Sequence, residues 1–100
     1  MLDLVHSDVC GPFPVRTPHG KLYFIVFLDN YTHLVNVQLL TSKDQALKAW
    51  KIVRALWENH AEHKVKAFHS DNDEEFLSSA FKQNLQNTGI YHELSSPYVN

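Results

Sequence analysis

The stretch His6-Ser7-Asp8-Val9-Cys10-Gly11-Pro12 sets one acid into an apolar run. Leu2, Leu4, Val5 and Val9 surround Asp8, and a Gly-Pro break follows at once. The run reads as a buried strand that Gly11-Pro12 ends, because proline cannot donate to a ladder. An ionised carboxylate in a buried strand is costly unless something compensates it. A metal ion is one compensation, and a strand-end position that caps a turn or meets water is the other. A second acid stands in a similar setting at Asp71, where Val65, Ala67 and Phe68 lead into His69-Ser70-Asp71-Asn72. Asp-Asn is also good turn chemistry, so Asp71 alone carries two readings as well. Acids so far apart in sequence meet only through the tertiary fold.

Working outward, Leu22 to Leu28 is continuous, aromatic and β-branched, which predicts a central strand covered on both faces. Asp29-Asn30-Tyr31-Thr32 supplies a turn, and Leu34 to Leu40 a third strand in which Leu34, Asn36 and Gln38 alternate with Val35, Val37 and Leu39. The short link predicts an antiparallel hairpin. Phe13 to Gly20, with two prolines and a glycine, reads as a surface turn. The period then changes. Ser42 and Gln45 form a capping-box pattern, and Ala46, Ala49, Trp50, Val53 and Trp57 follow at helical spacing, with Leu56 beside them. This helix should end near His60. Val65 to Ser70 is a fourth strand, Ser78 caps a helix through about Asn87 with Gly89 as its stop, and Ile90 to Leu94 is a fifth strand. The order β-β-β-α-β-α-β predicts an α/β fold: a mixed sheet whose first three strands are antiparallel, with helices packed on it.

Composition sets bounds. One hundred residues make one small domain, able to bury roughly 65% of its unfolded surface. The apolar runs are far short of a bilayer span, so no membrane role is expected. A single cysteine excludes an internal disulfide and suits a reducing, intracellular compartment. The formal charge is −2, so contact with nucleic acid would be local or mediated by a metal.

His6 to Pro12, the run Phe27-Leu28-Asp29-Asn30-Tyr31, the block Ser70-Asp71-Asn72 with Glu75-Phe76, and the late Gly89-Ile90 and Pro97-Tyr98 resemble, in order, the catalytic core of copia-type retrotransposon integrases. The resemblance spans essentially the whole chain and implies an RNase H-like fold and DDE-type chemistry. It implies that Asp8 and Asp71 are catalytic and are the first two of three carboxylates holding Mg²⁺ or Mn²⁺, with His6, Ser7, Ser70 and Asn72 in support. The DNA partners implied are retroelement ends and target DNA, in the nucleus. By the family's spacing the third acid, a Glu, falls beyond Asn100. Residues 1–100 are therefore expected to be a partial core lacking its last helix, with metal binding weak or lost, apolar surface bare around Ile90 and Leu94, and self-association. The rival expectation is an inactive relic acting at most as an interaction module. Three positions depart from the family pattern: Asp73 and Glu74 replace two glycines, and His33 stands where Arg is common.

Other features have plainer readings. Asp71, Asp73, Glu74 and Glu75 read either as part of a site or as a solvated acidic loop. His60, His63 and His69 lack the ligand spacing of a zinc site. Trp50 and Trp57 share one helical face and read as core. Cys10 reads as a small buried residue. Lys43, Lys48, Lys51, Arg54, Lys64 and Lys66 offer a modest basic face.

Overall fold

Strand β1, Leu4–Pro14, is the central strand of the sheet. The structure is a computed structural model that describes residues 2–14, 21–71 and 74–94. β2 (Lys21–Asp29) and β3 (Val35–Leu40) follow as an antiparallel meander. A 3₁₀ turn, Lys43–Gln45, leads into helix α1, Ala46–Ala61. Then come β4 (Ala67–Ser70), the short helix α2 (Glu74–Leu77), helix α3 (Ser79–Asn87) and β5 (Tyr91–Leu94). The five strands lie in the order β3-β2-β1-β4-β5. β4 joins β1, and β5 joins β4, in parallel, so the sheet is mixed as expected.

The helices pack on one face. Val5, Ile25, Phe27 and Phe68 point there and are buried with Ala46, Ala49, Trp50, Val53 and Trp57 of α1 and Phe81 and Leu85 of α3. Phe68 lies at the centre, its ring 4.6 Å from Trp50, 5.4 Å from Phe81 and 5.9 Å from Phe76. This face is what period 2 in the strands and period 3.6 in α1 require.

Several local expectations hold. Ser78 caps α3 by accepting from the Phe81 N–H at 3.2 Å. Gly89 follows in the left-handed region, with φ +72°. Others need correction. Gly11-Pro12, a cis peptide, does not end β1: the strand absorbs the pair through a register shift between Cys10 and Phe13 and pairs again as far as Pro14. Gly11 has φ +125°, and a Cβ there would sit 2.9 Å from the Leu22 carbonyl oxygen. Ser42 bonds Asp44 rather than capping; Gln45 instead takes the Thr41 N–H and donates back to the Thr41 hydroxyl. Leu56 is exposed, and Ile90 is buried rather than bare, while Leu94 is exposed. Cys10 is exposed too. Residues 15–20, Asn72 and Asp73, and the Ser95 to Tyr98 segment lie outside the described residues, with the expectations placed on them.

Among the described residues, β2 is covered on one face only. On the other face, Val26 and Leu28 are half-buried, and their β3 neighbours Val35, Val37 and Leu39 are 57%, 54% and 62% exposed. The polar residues of β3 are the ones turned inward: Gln38 Nε2 donates to the Ala49 carbonyl at 3.2 Å and to Asn36 Oδ1 at 3.1 Å. Alternation was legible in β3. Its direction was not, because the inward amides find partners on α1.

Candidate metal centre

Asp8 stands mid-strand on the open face, the face that no described helix covers. It is exposed, which corrects the premise that a buried carboxylate demands compensation. What brings it to Asp71 is register. β1 and β4 pair in parallel with Leu4 beside Ala67, Val5 beside Phe68 and His6 beside His69. Asp8 lies two residues past His6 on β1 and Asp71 two past His69, just beyond the end of β4, and both line one cleft with His6 and His69. A cleft of about 330 Å³ forms there, lined by His6, Asp8, Val26, Leu28, His69 and Asp71, with Ser7 at its edge. The two sequence candidates do meet.

The histidines form an ordered pair. His6 Nδ1 and His69 Nδ1 are 3.1 Å apart, and His6 Nε2 is 3.0 Å from Asn30 Oδ1. An amide oxygen only accepts, so His6 Nε2 carries a hydrogen; in the neutral ring its Nδ1 then accepts, and His69 Nδ1 donates. Asn30 is itself fixed, since its N–H donates to the Leu4 carbonyl at 3.0 Å. Sequence reading placed His6 in support but missed Asn30 and His69. The available signal was parity: His69 lies two residues before Asp71, as His6 lies two before Asp8.

The same parity moves Ser7 and Ser70 away. Both are buried. Ser70 Oγ lies 2.7 Å from His92 Nε2 and 3.1 Å from the Asp71 carbonyl, while Ser7 Oγ is buried and finds no hydrogen-bond partner among the described residues. His92 has its pKa pushed below the ordinary 6.5 by burial, with the positive charges of Lys82 and His69 adding to it.

Below the cleft, Asp29 ties the end of β2 in place. Its Oδ1 accepts from the Leu2 N–H at 2.9 Å, and its Oδ2 from the Thr32 N–H at 3.0 Å and the Thr32 hydroxyl at 2.6 Å. Burial raises its pKa, but the hydrogen bonds outweigh that and hold it below 3.8.

Carboxylate oxygens are the hard donors that Mg²⁺ and Mn²⁺ select, and Asp8, on β1, and Asp71, just past β4, carry such oxygens. Among the described residues no three His, Cys, Asp or Glu side chains converge as a ligand set.

The integrase core domain profile matches residues 1–99. This chain belongs to the integrase core domain family. It is 37% identical over 97 residues to the retrovirus-related Pol polyprotein from transposon TNT 1-94 of Nicotiana tabacum, covering 97% of this chain and 7% of that protein. It is 28% identical over 98 residues to the Pol polyprotein from transposon RE2 of Arabidopsis thaliana, covering 98% of this chain and 6% of that one. This integrase core thus spans a small fraction of the polyproteins it matches. Its fold is that of retroviral catalytic cores. The HTLV-2 integrase catalytic core domain in complex with magnesium superimposes with TM-score 0.76 at 19% identity, over 93% of this chain and 60% of that one. The simian T-cell lymphotropic virus intasome in complex with PP2A regulatory subunit B56 gamma gives TM-score 0.77 at 14% identity, over 98% and 33%.

Proposed function

We propose that this integrase core takes part in DNA integration, cleaving and joining phosphodiesters with divalent ions held by Asp8 and Asp71. The observation that carries the reading is the convergence of these two carboxylates on one cleft of the open face, Asp8 from β1 and Asp71 from just past the end of the neighbouring parallel strand β4. The magnesium bound by the HTLV-2 core supports the choice of ion. When bound, Mg²⁺ or Mn²⁺ would activate an attacking hydroxyl and stabilise charge on the phosphate oxygens. Asp8 and Asp71 would ligate through their oxygens, and the Asn30–His6–His69 chain would hold two rings beside them in a fixed tautomer. The substrates would be retroelement ends and target DNA, gripped locally because the chain is slightly acidic overall. Of the basic side chains, Lys66 already meets Asp3 and Arg54 meets Glu58, so neither is a free phosphate contact.

A second reading, a catalytically inactive core acting at most as a binding or interaction module, is favoured because no three His, Cys, Asp or Glu side chains converge as a ligand set among the described residues. Nicking of supercoiled plasmid with Mn²⁺ separates the two. Nicking that Asp8→Asn abolishes supports the enzyme. Mn²⁺ binding without nicking assigns the second reading, and nicking that survives in both Asp8→Asn and Asp71→Asn overturns the site.

A further inference from the structure

At the far edge of the sheet, β5 and α3 enclose a groove of about 400 Å³, lined by Lys82, Leu85, Ile90, Tyr91, His92 and Leu94. It shares no lining residue with the cleft that holds the carboxylates. Two backbone hydrogen bonds shape it: the Ile90 N–H donates to the Leu85 carbonyl at 2.9 Å, and the Gly89 N–H to the Gln86 carbonyl at 3.1 Å. They fold the chain sharply from α3 into β5 and leave the gap between them open.

Among the described strands, β5 lies at the edge of the sheet. The Tyr91 N–H donates to the Lys66 carbonyl, toward the interior of the sheet, at 3.0 Å. In a parallel ladder alternate residues turn both backbone groups to the same neighbour. His92 and Leu94 therefore turn their N–H and C=O outward, to the open edge. Neither a proline nor a lysine guards this strand, the devices by which edges are usually closed. The groove beside the edge is apolar through Leu85, Ile90 and Leu94. Its rim carries one cation, Lys82, for which no acidic partner occurs among the described residues.

We propose that the β5 edge is a docking site for an extended peptide segment bearing an apolar side chain and, two residues away, a carboxylate. The segment adds as a sixth strand on the His92 and Leu94 backbone groups. Residues two apart share a face, so its apolar side chain enters the groove over Leu85 and Leu94 while its carboxylate meets Lys82. Main-chain pairing supplies affinity; Lys82 selects charge. The inference is independent of the metal reading, since no residue is shared.

The test titrates the ¹⁵N-labelled chain with acetyl-Thr-Leu-Thr-Glu-Thr-amide and with its counterpart bearing Lys in place of Glu. The expected result is saturable shifts of the His92 and Leu94 amides with the Glu peptide. Lys82→Glu, an exposed change that leaves the fold intact, weakens that binding by about fivefold, the size of one exposed ion pair. The same variant reverses the preference toward the Lys peptide. Leu94→Pro, which removes one edge donor, weakens both peptides. Equal affinity for the two peptides in the unaltered chain, or shifts confined to other strands, overturns the proposal. So do edge amides that change with protein concentration alone, because that marks pairing of two copies.

Discussion

The two faces of the sheet are built from the same strands by the same alternation, yet they do opposite things. On the helix side Val5, Ile25, Phe27 and Phe68 lose nearly all contact with water. On the open side their immediate neighbours, His6, Asp8, Val26, Leu28, His69 and Asp71, line a cleft, and Val35, Val37 and Leu39 lie bare. A residue's effect on stability is therefore decided by its parity, and its chemistry is available only on the face that packing leaves alone. Stability and function are divided at the width of one peptide plane.

That division predicts a steep contrast. Phe68→Ala should cost about 3–5 kcal/mol in urea unfolding, because the ring joins Trp50, Phe76 and Phe81. Val37→Thr, on the same sheet but facing outward, should change stability by no more than about 0.5 kcal/mol. Equal losses from the two would erase the contrast. Gly11→Ala tests the strand that both faces share: with φ +125° and the Leu22 carbonyl 2.9 Å from the new methyl, a loss of about 1–3 kcal/mol is expected. Ser78→Ala should cost about 1 kcal/mol by releasing the Phe81 N–H at the start of α3.

Acid sharpens the comparison further. His92 is held neutral in the fold, so its contribution is complete above pH 6.5 and falls as pH drops below that value toward the lowered folded one. Asp29 is held charged; its contribution is present above pH 3.8 and is lost as pH falls through its own lowered value. Stability should thus decline in two separate steps, the first removed by His92→Gln and the second by Asp29→Asn, read by urea midpoints across pH. A single step that survives both variants would contradict the assignment.

The fold was readable where local pattern and packing agree. The helical positions Ala46, Ala49, Trp50, Val53 and Trp57 are all buried, and the Ser78 cap and Gly89 stop fall where expected. Leu56 shows the limit: it sits one position off the stripe, and hydropathy alone does not reveal which side of the helix the sheet takes. Gly11-Pro12 reads as a stop, yet β1 carries it as an irregularity, because pairing with Leu22 and Lys21 on β2 resumes beyond it. The carboxylate pair was legible in the two similar strand-end contexts, although for the wrong reason. Asp8 is exposed, and the register of β1 against β4, which no local pattern encodes, is what aligns it with Asp71. The ring pair His6–His69 arises from that same register, so it stayed hidden for the same cause. The exposed β3 valines also change where cover is wanted, from Ile90, which is buried, to the β3 edge of the open face.

Asp8→Asn should leave the core packing intact, since the side chain is exposed and lies outside the core. It is therefore the clean variant for the central claim that the open face holds a divalent ion between β1 and β4. The direct measurement is a Mn²⁺ titration of the ¹⁵N-labelled chain, reading paramagnetic broadening of its amides. The account predicts broadening centred on Asp8 and Asp71, spreading to His6 and His69, and lost in Asp8→Asn. Broadening that persists unchanged in that variant, or that centres on Glu58 and Glu62 instead, would contradict it.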